Sequence, residues 1–173
     1  MGHLRNIPLD RQRGVASIEF ALLLVPLLII AFGALEYGRL IYHYDTLVKS
    51  VRSAARMIAQ HNPDDQTAYA TALGEARCLA AYGVSACTKN QTPLVPGLRL
   101  SNIKICDRTS VTECDGMSLS EVKNVATGAD TGTVNLVVVR ISDYEFSFLG
   151  LPFTGAGSSL AFQPVQSAMR QGL

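Results

Sequence analysis

The chain has 173 residues, of which 48% are hydrophobic and only 17% charged, with a net charge of +1 and no tryptophan. This length accommodates one modest folded domain beside a membrane segment. Near-neutrality, with basic residues scattered and no aromatics interleaved among them, argues against a nucleic-acid-binding surface.

In chain order, Arg5, Arg11 and Arg13 come first, then Gly14, then an apolar stretch. From Phe20 to Leu35 no residue is charged. Adding Val15 to Ile18 makes a span of about 20 residues broken only by Glu19, which is the length needed to cross a bilayer core. Pro26 would break a soluble helix, but a membrane helix tolerates it as a local kink. An ordinary cleaved signal peptide fits poorly, because the apolar run exceeds an h-region of about 7–15 residues and no A-x-A site follows. A plain anchor accounts for the length but leaves Glu19 unexplained. A carboxylate within a span costs about 2.5–3.5 kcal/mol on insertion scales unless it finds a partner. Cleavage between Gly14 and Val15 would supply one. The new amine of Val15 then lies one helical turn from Glu19, and in side-by-side helices the amine of one subunit neutralises the glutamate of another.

Gly14-Val15-Ala16-Ser17-Ile18-Glu19-Phe20 resembles the class III cleavage site of type IV pilins and pseudopilins, in which a prepilin peptidase cuts after the glycine and a glutamate stands fifth in the mature chain. Within that superfamily the flanks resemble the TadE-like family of the tight-adherence (Tad) pilus. Glu36-Tyr37-Gly38-Arg39-Leu40 is similar to that family's E-F-G-R-L run. The resemblance covers residues 13–60. Farther on, the valines, aromatics and Ala168-Met169-Arg170 also look like TadE-like domains. The resemblance implies a prepilin leader (1–14) facing the cytoplasm, a transmembrane helix (15–36) and a pilin-like periplasmic or extracellular domain (37–173). It further implies a minor pilin in the bacterial inner membrane, a single-pass protein with its N-terminus cytoplasmic. Its partners would be the prepilin peptidase, related minor pilins, the major Flp-type pilin and the inner-membrane assembly platform. The competing expectation is an unrelated exported binding or enzymatic domain on a single-pass anchor.

Flanking charge does not orient the span. Arg5, Arg11 and Arg13 on one side are nearly balanced by Arg39, Lys49 and Arg52 on the other. The cysteines do better. Cys78, Cys87, Cys106 and Cys114 all follow the span, and an even number in an exported domain points to disulfides. Three pairings are open, and the two local ones, Cys78–Cys87 and Cys106–Cys114, are expected. A zinc site of four thiolates would place its cysteines in pairs two to four residues apart, so gaps of eight and seven residues disfavour it.

The helix is expected to run on to about Gln60, with Leu40, Tyr44, Leu47, Val51, Ala55 and Ile58 on one face. Arg39, His43, Thr46, Lys49, Ser53 and Arg56 fall off that stripe, and Lys49, Arg52 and Arg56 read as a solvated face. Asn62 is expected to cap a second helix, with Pro63 at its first position and Asp64 and Asp65 in its first turn. That helix shows Tyr69, Leu73, Ala76 and Ala80 on its apolar face and should stop at Gly83. Leu98 to Cys106 reads as a strand whose alternation slips between Leu100 and Ile103, as at a bulge. Val134 to Ile141 reads as a buried strand that runs on through Tyr144, Phe146 and Phe148. Gly150-Leu151-Pro152 reads as a turn. Ser158 to Met169 reads as a last strand that Pro164 pushes to an edge. Residues 107–131 read as a loop or short helix. The predicted fold class is α+β: a long N-terminal helix, a second helix and a small antiparallel sheet.

No catalytic set is expected. Ser120-x-x-Lys123 and Ser101-x-x-Lys104 match S-x-x-K, but the companion S-D-N and K-T-G motifs are missing. His43 and His61 read as surface or capping residues, His3 lies in the leader, and no metal site or cofactor is expected. Asn90-Gln91-Thr92 is a glycosylation sequon only formally.

Overall fold

A computed structural model of the chain describes residues 13–88, 90–109, 116, 118, 122–127, 132–149 and 158–171. Helix α1 spans Arg13–Ile58 without interruption, with Pro26 inside it. Its 46 residues extend about 69 Å at 1.5 Å per residue. Two compact units divide the molecule. One contains the chain through Arg39 together with Phe148–Ser158. The other contains Leu40–Ser147 and Ser159–Leu173.

In the first unit the apolar side chains of α1 face outward. Phe20, Leu23 and Ile30 are 66%, 71% and 73% exposed. This helix is long and apolar enough to cross a membrane. Side chains this apolar are stable outside a core only against lipid or another protein.

In the second unit α1 becomes amphipathic. Leu47, Val51, Ala54, Ala55 and Ile58 are buried, while Lys49, Arg52 and Arg56 are exposed as expected. The stripe differs from the predicted one at its start, because His43 and Ser50 are buried and Tyr44 is half exposed. The imidazole is tolerated inside because its Nδ1 lies 3.1 Å from the Tyr144 hydroxyl, which itself donates to the Pro96 carbonyl at 3.1 Å. His43 is therefore neither a surface nor a capping residue. His61, at the helix end, does lie against a backbone carbonyl, that of Met57.

Helix α2 spans Gln66–Tyr82 and starts later than predicted. Asp65, not Asn62, is its N-cap, accepting from the Ala68 N–H. Asn62 instead accepts from the Asp64 N–H within the preceding turn, a competing use that short polar side chains favour. The helix ends at Gly83, whose φ of 76° is left-handed and whose N–H donates to Leu79. Tyr69, Ala72, Ala76, Ala80 and Ala81 are its buried positions, and Leu73 is half buried.

A three-stranded antiparallel sheet, ordered β1-β4-β7, completes the fold. β1 spans Ile103–Cys106, β4 Leu136–Ile141 and β7 Val165–Arg170. β4 is central, and Val137, Val138 and Val139 are all buried, which explains its unbroken apolar run. Helix α2 packs against β1. The slip before Ile103 is a 3-10 turn at Leu100–Asn102 and not a bulge. Asn102 pins that turn by donating to the carbonyls of Ser142 and Asp143. Two small ladders flank the sheet: β2 (Val125–Ala126) with β3 (Thr133–Val134), and β5 (Glu145–Ser147) with β6 (Ser159–Ala161). The expected last strand is thus two strands, separated at Phe162–Pro164, with β7 at the sheet edge. Within 107–131 the described residues give β2 and the buried Val122, which clusters with Cys106 and Val138.

A polar seam ties α2 to both sides of this core. The Tyr69 hydroxyl donates to Asp107 Oδ2 at 2.7 Å and accepts from Gln171 Nε2 at 3.0 Å. Asp107 Oδ1 takes the N–H and hydroxyl of Thr109. Burial pushes the Tyr69 phenol well above its ordinary range, reinforced by its hydrogen bond to the Asp107 carboxylate and by that group's charge.

Candidate functional site: the first half of helix α1

Gly14, Val15 and Glu19 all lie at the start of α1 and are exposed. Val15 and Glu19 stand four residues apart on one helix, so they share a face about 6 Å apart along the axis. Among the described residues no side chain pairs with Glu19. A carboxylate on an otherwise apolar exposed face needs a countercharge if that face enters a bilayer. A Cβ added at Gly14 would meet no atom within 4 Å. Among the described residues, packing therefore gives no reason for glycine at this position. Residues 1–12 of the expected leader lie outside the described residues.

At the other end of the apolar run the helix carries a second acidic group. Glu36 Oε1 accepts from Arg39 Nη1 at 3.2 Å, as expected of residues three apart on a helix. The same oxygen accepts the backbone N–H of Leu149 at 3.2 Å. Oε2 is buried without a hydrogen-bond partner among the described residues. In the sequence Glu36 and Arg39 stand out as charges that close an uncharged run. The hold of Glu36 on residue 149 is missed there, because nothing local links positions so distant in the chain.

Cys78 and Cys87 form a disulfide that joins the last turns of α2 to the following loop. Cys106 is fully buried and also disulfide-bonded. Cys114 lies outside the described residues, so the expected Cys106–Cys114 bond does too. A cleft of about 470 Å³ runs beside the first disulfide, lined by Arg77, Ser101 and Lys104 among others. Ser120 lies outside the described residues.

Residues 14–56 match the family model described as TadE-like protein. No curated protein and no solved structure matches the chain significantly. The matched stretch contains both ends of the apolar run, with Gly14 and Glu19 at one and Glu36 to Leu40 at the other. Over residues 14–56, within the helix that carries this site, the chain is similar to the TadE-like family.

Proposed function

We propose that this chain is a minor pilin, or pseudopilin, of a Tad-type pilus, with no enzymatic activity of its own. A prepilin peptidase cuts between Gly14 and Val15. The mature chain stands in the bacterial inner membrane with its large unit in the periplasm, then joins related minor pilins and the major Flp-type pilin at the assembly platform. Its contribution is to assembly or tip priming, and through the fibre to adherence. The observation that carries this reading is Glu19 on the exposed apolar face of α1, without a partner among the described residues and one turn from the amine that cleavage would create. The Cys78–Cys87 disulfide supports the orientation, since such bonds persist in oxidising compartments.

The test is the intact mass of the chain extracted from membranes. A mature chain starting at Val15 is expected, and Gly14→Ala should leave the precursor uncut, since a small flexible residue is needed before the scissile bond, while the added methyl meets no described atom within 4 Å. A chain that starts at Met1, or one cut near Leu35, overturns the reading in favour of an exported domain on a plain anchor.

A further inference from the structure

The apolar surface of the first unit does not stop where the helix becomes charged. Leu35, the last residue of the uncharged run, is 69% exposed, and Leu149 is 82% exposed. Leu149 is held at the level of the next helical residue, because its N–H donates to Glu36. The connection between β5 and β6 is closed at its neck by the Phe148 N–H on the Ser158 carbonyl, 3.2 Å away. A helix rising 1.5 Å per residue needs about 20 residues for a 30 Å hydrocarbon core. Counted back from Leu35 this reaches Ala16, so Glu36 and Leu149 both fall at the far hydrocarbon boundary. No residue between Glu145 and Arg170 is charged, so lowering this part of the chain into an interface desolvates no ion.

We infer that Leu149 makes a second membrane contact, seated at the boundary between headgroups and acyl chains, and that Glu36 is the positioning residue that latches it there. The occupant is lipid, because the surface is continuous in level and polarity with the helix face that the bilayer would cover. This rests on the reading that α1 spans the membrane. The Glu36–Arg39 pair then has a role of its own. Arg39 neutralises the carboxylate at the membrane edge, and the same carboxylate oxygen binds the loop backbone.

The native chain has no tryptophan, so single-tryptophan variants report without background. Leu149→Trp and Leu28→Trp are placed separately in the full chain, each reconstituted in phosphatidylcholine vesicles brominated near the headgroup or near the chain end. Leu149→Trp should lose about half its emission to the shallow bromine and less to the deep one, with emission shifted to the blue of a free tryptophan amide in water. Leu28→Trp should show the opposite depth order. Adding Glu36→Ala should return the Leu149→Trp signal towards that of the free amide while Leu28→Trp is unchanged. If Leu28→Trp is quenched but Leu149→Trp is not, the loop contact is wrong and the span stands. Blue-shifted but unquenched Leu149→Trp means a protein neighbour, such as a second copy, and also overturns the lipid contact. If Leu28→Trp is unquenched at either depth, the spanning reading fails and the loop contact fails with it. Quenching of Leu149→Trp that survives Glu36→Ala overturns the latch.

Discussion

Tyr69→Phe removes one oxygen atom from the centre of the core of the second unit. The hydroxyl donates to Asp107 Oδ2 and accepts from Gln171 Nε2. Those two residues are only 1% and 4% exposed, so water cannot readily replace the lost partner. A hydrogen bond to a carboxylate, with two buried groups left short, amounts to about 2 kcal/mol. Unfolding entropy near 2.1 cal/mol/K per residue over the roughly 120 residues of this unit converts that into a Tm lower by about 8 °C. The variant also tests the phenol's ionisation. Its pKa is raised on folding above the ordinary value of 10.0. The native state therefore keeps a proton that the unfolded chain releases, so the contribution is complete below pH 10 and declines as pH rises further. The slope there is about 1.4 kcal/mol per pH unit. Urea unfolding of the detergent-solubilised full chain, followed by near-UV circular dichroism, measures both effects. Wild type should lose its advantage over Tyr69→Phe progressively between about pH 10 and pH 11, after a constant difference from about pH 8 to pH 9.5. A difference that stays constant through the alkaline range refutes the buried, proton-holding phenol, and no difference at neutral pH refutes the seam's role in stability.

Converting both Cys78 and Cys87 to serine should destabilise the second unit by about 2–3 kcal/mol, the chain-entropy value for a loop with their sequence separation of 9. Equal urea midpoints for this variant and wild type would show that the bond constrains nothing. Phe146→Ala removes a fully buried ring that meets His43 edge-on at 5.1 Å and stacks with Phe162 at 6.3 Å. It should cost about 3–5 kcal/mol, and a Tm within 2 °C of wild type would contradict the core described above. Glu19→Ala should leave cleavage after Gly14 intact while reducing piliation strongly, since it removes only the charge that needs an outside partner. Piliated cells at wild-type level would remove that role from Glu19.

The first half of α1 was legible from the sequence because its signals are local. An uncharged run, one acidic residue near its start, and Glu36 with Arg39 near its end need no tertiary partner to be recognised. The Cys78–Cys87 bond and the Gly83 stop were legible for the same reason. A short loop between cysteines and a left-handed glycine after a helix are near-neighbour effects. Misreadings arose where short polar side chains choose among neighbours. Asn62 closes its own turn and leaves the cap to Asp65. The 3-10 turn at Leu100–Asn102 replaces a bulge because Asn102 finds carbonyls at Ser142 and Asp143.

His43 shows where local pattern stops being sufficient. Helical spacing placed it off the apolar stripe, yet it is buried because Tyr144, a hundred and one residues away, offers its hydroxyl at 3.1 Å. Tyr69 and Asp107 are likewise ordinary residues in sequence and become a buried seam only when α2 meets the end of β1. By itself the sequence determined the membrane-length helix, the class of fold and one disulfide, because each follows from chain-local spacing, hydrophobicity or loop length. Only the tertiary structure decided which polar side chains are buried, which strands pair, and that Glu36 holds Leu149, because long-range hydrogen bonds stabilise burial that local polarity would forbid.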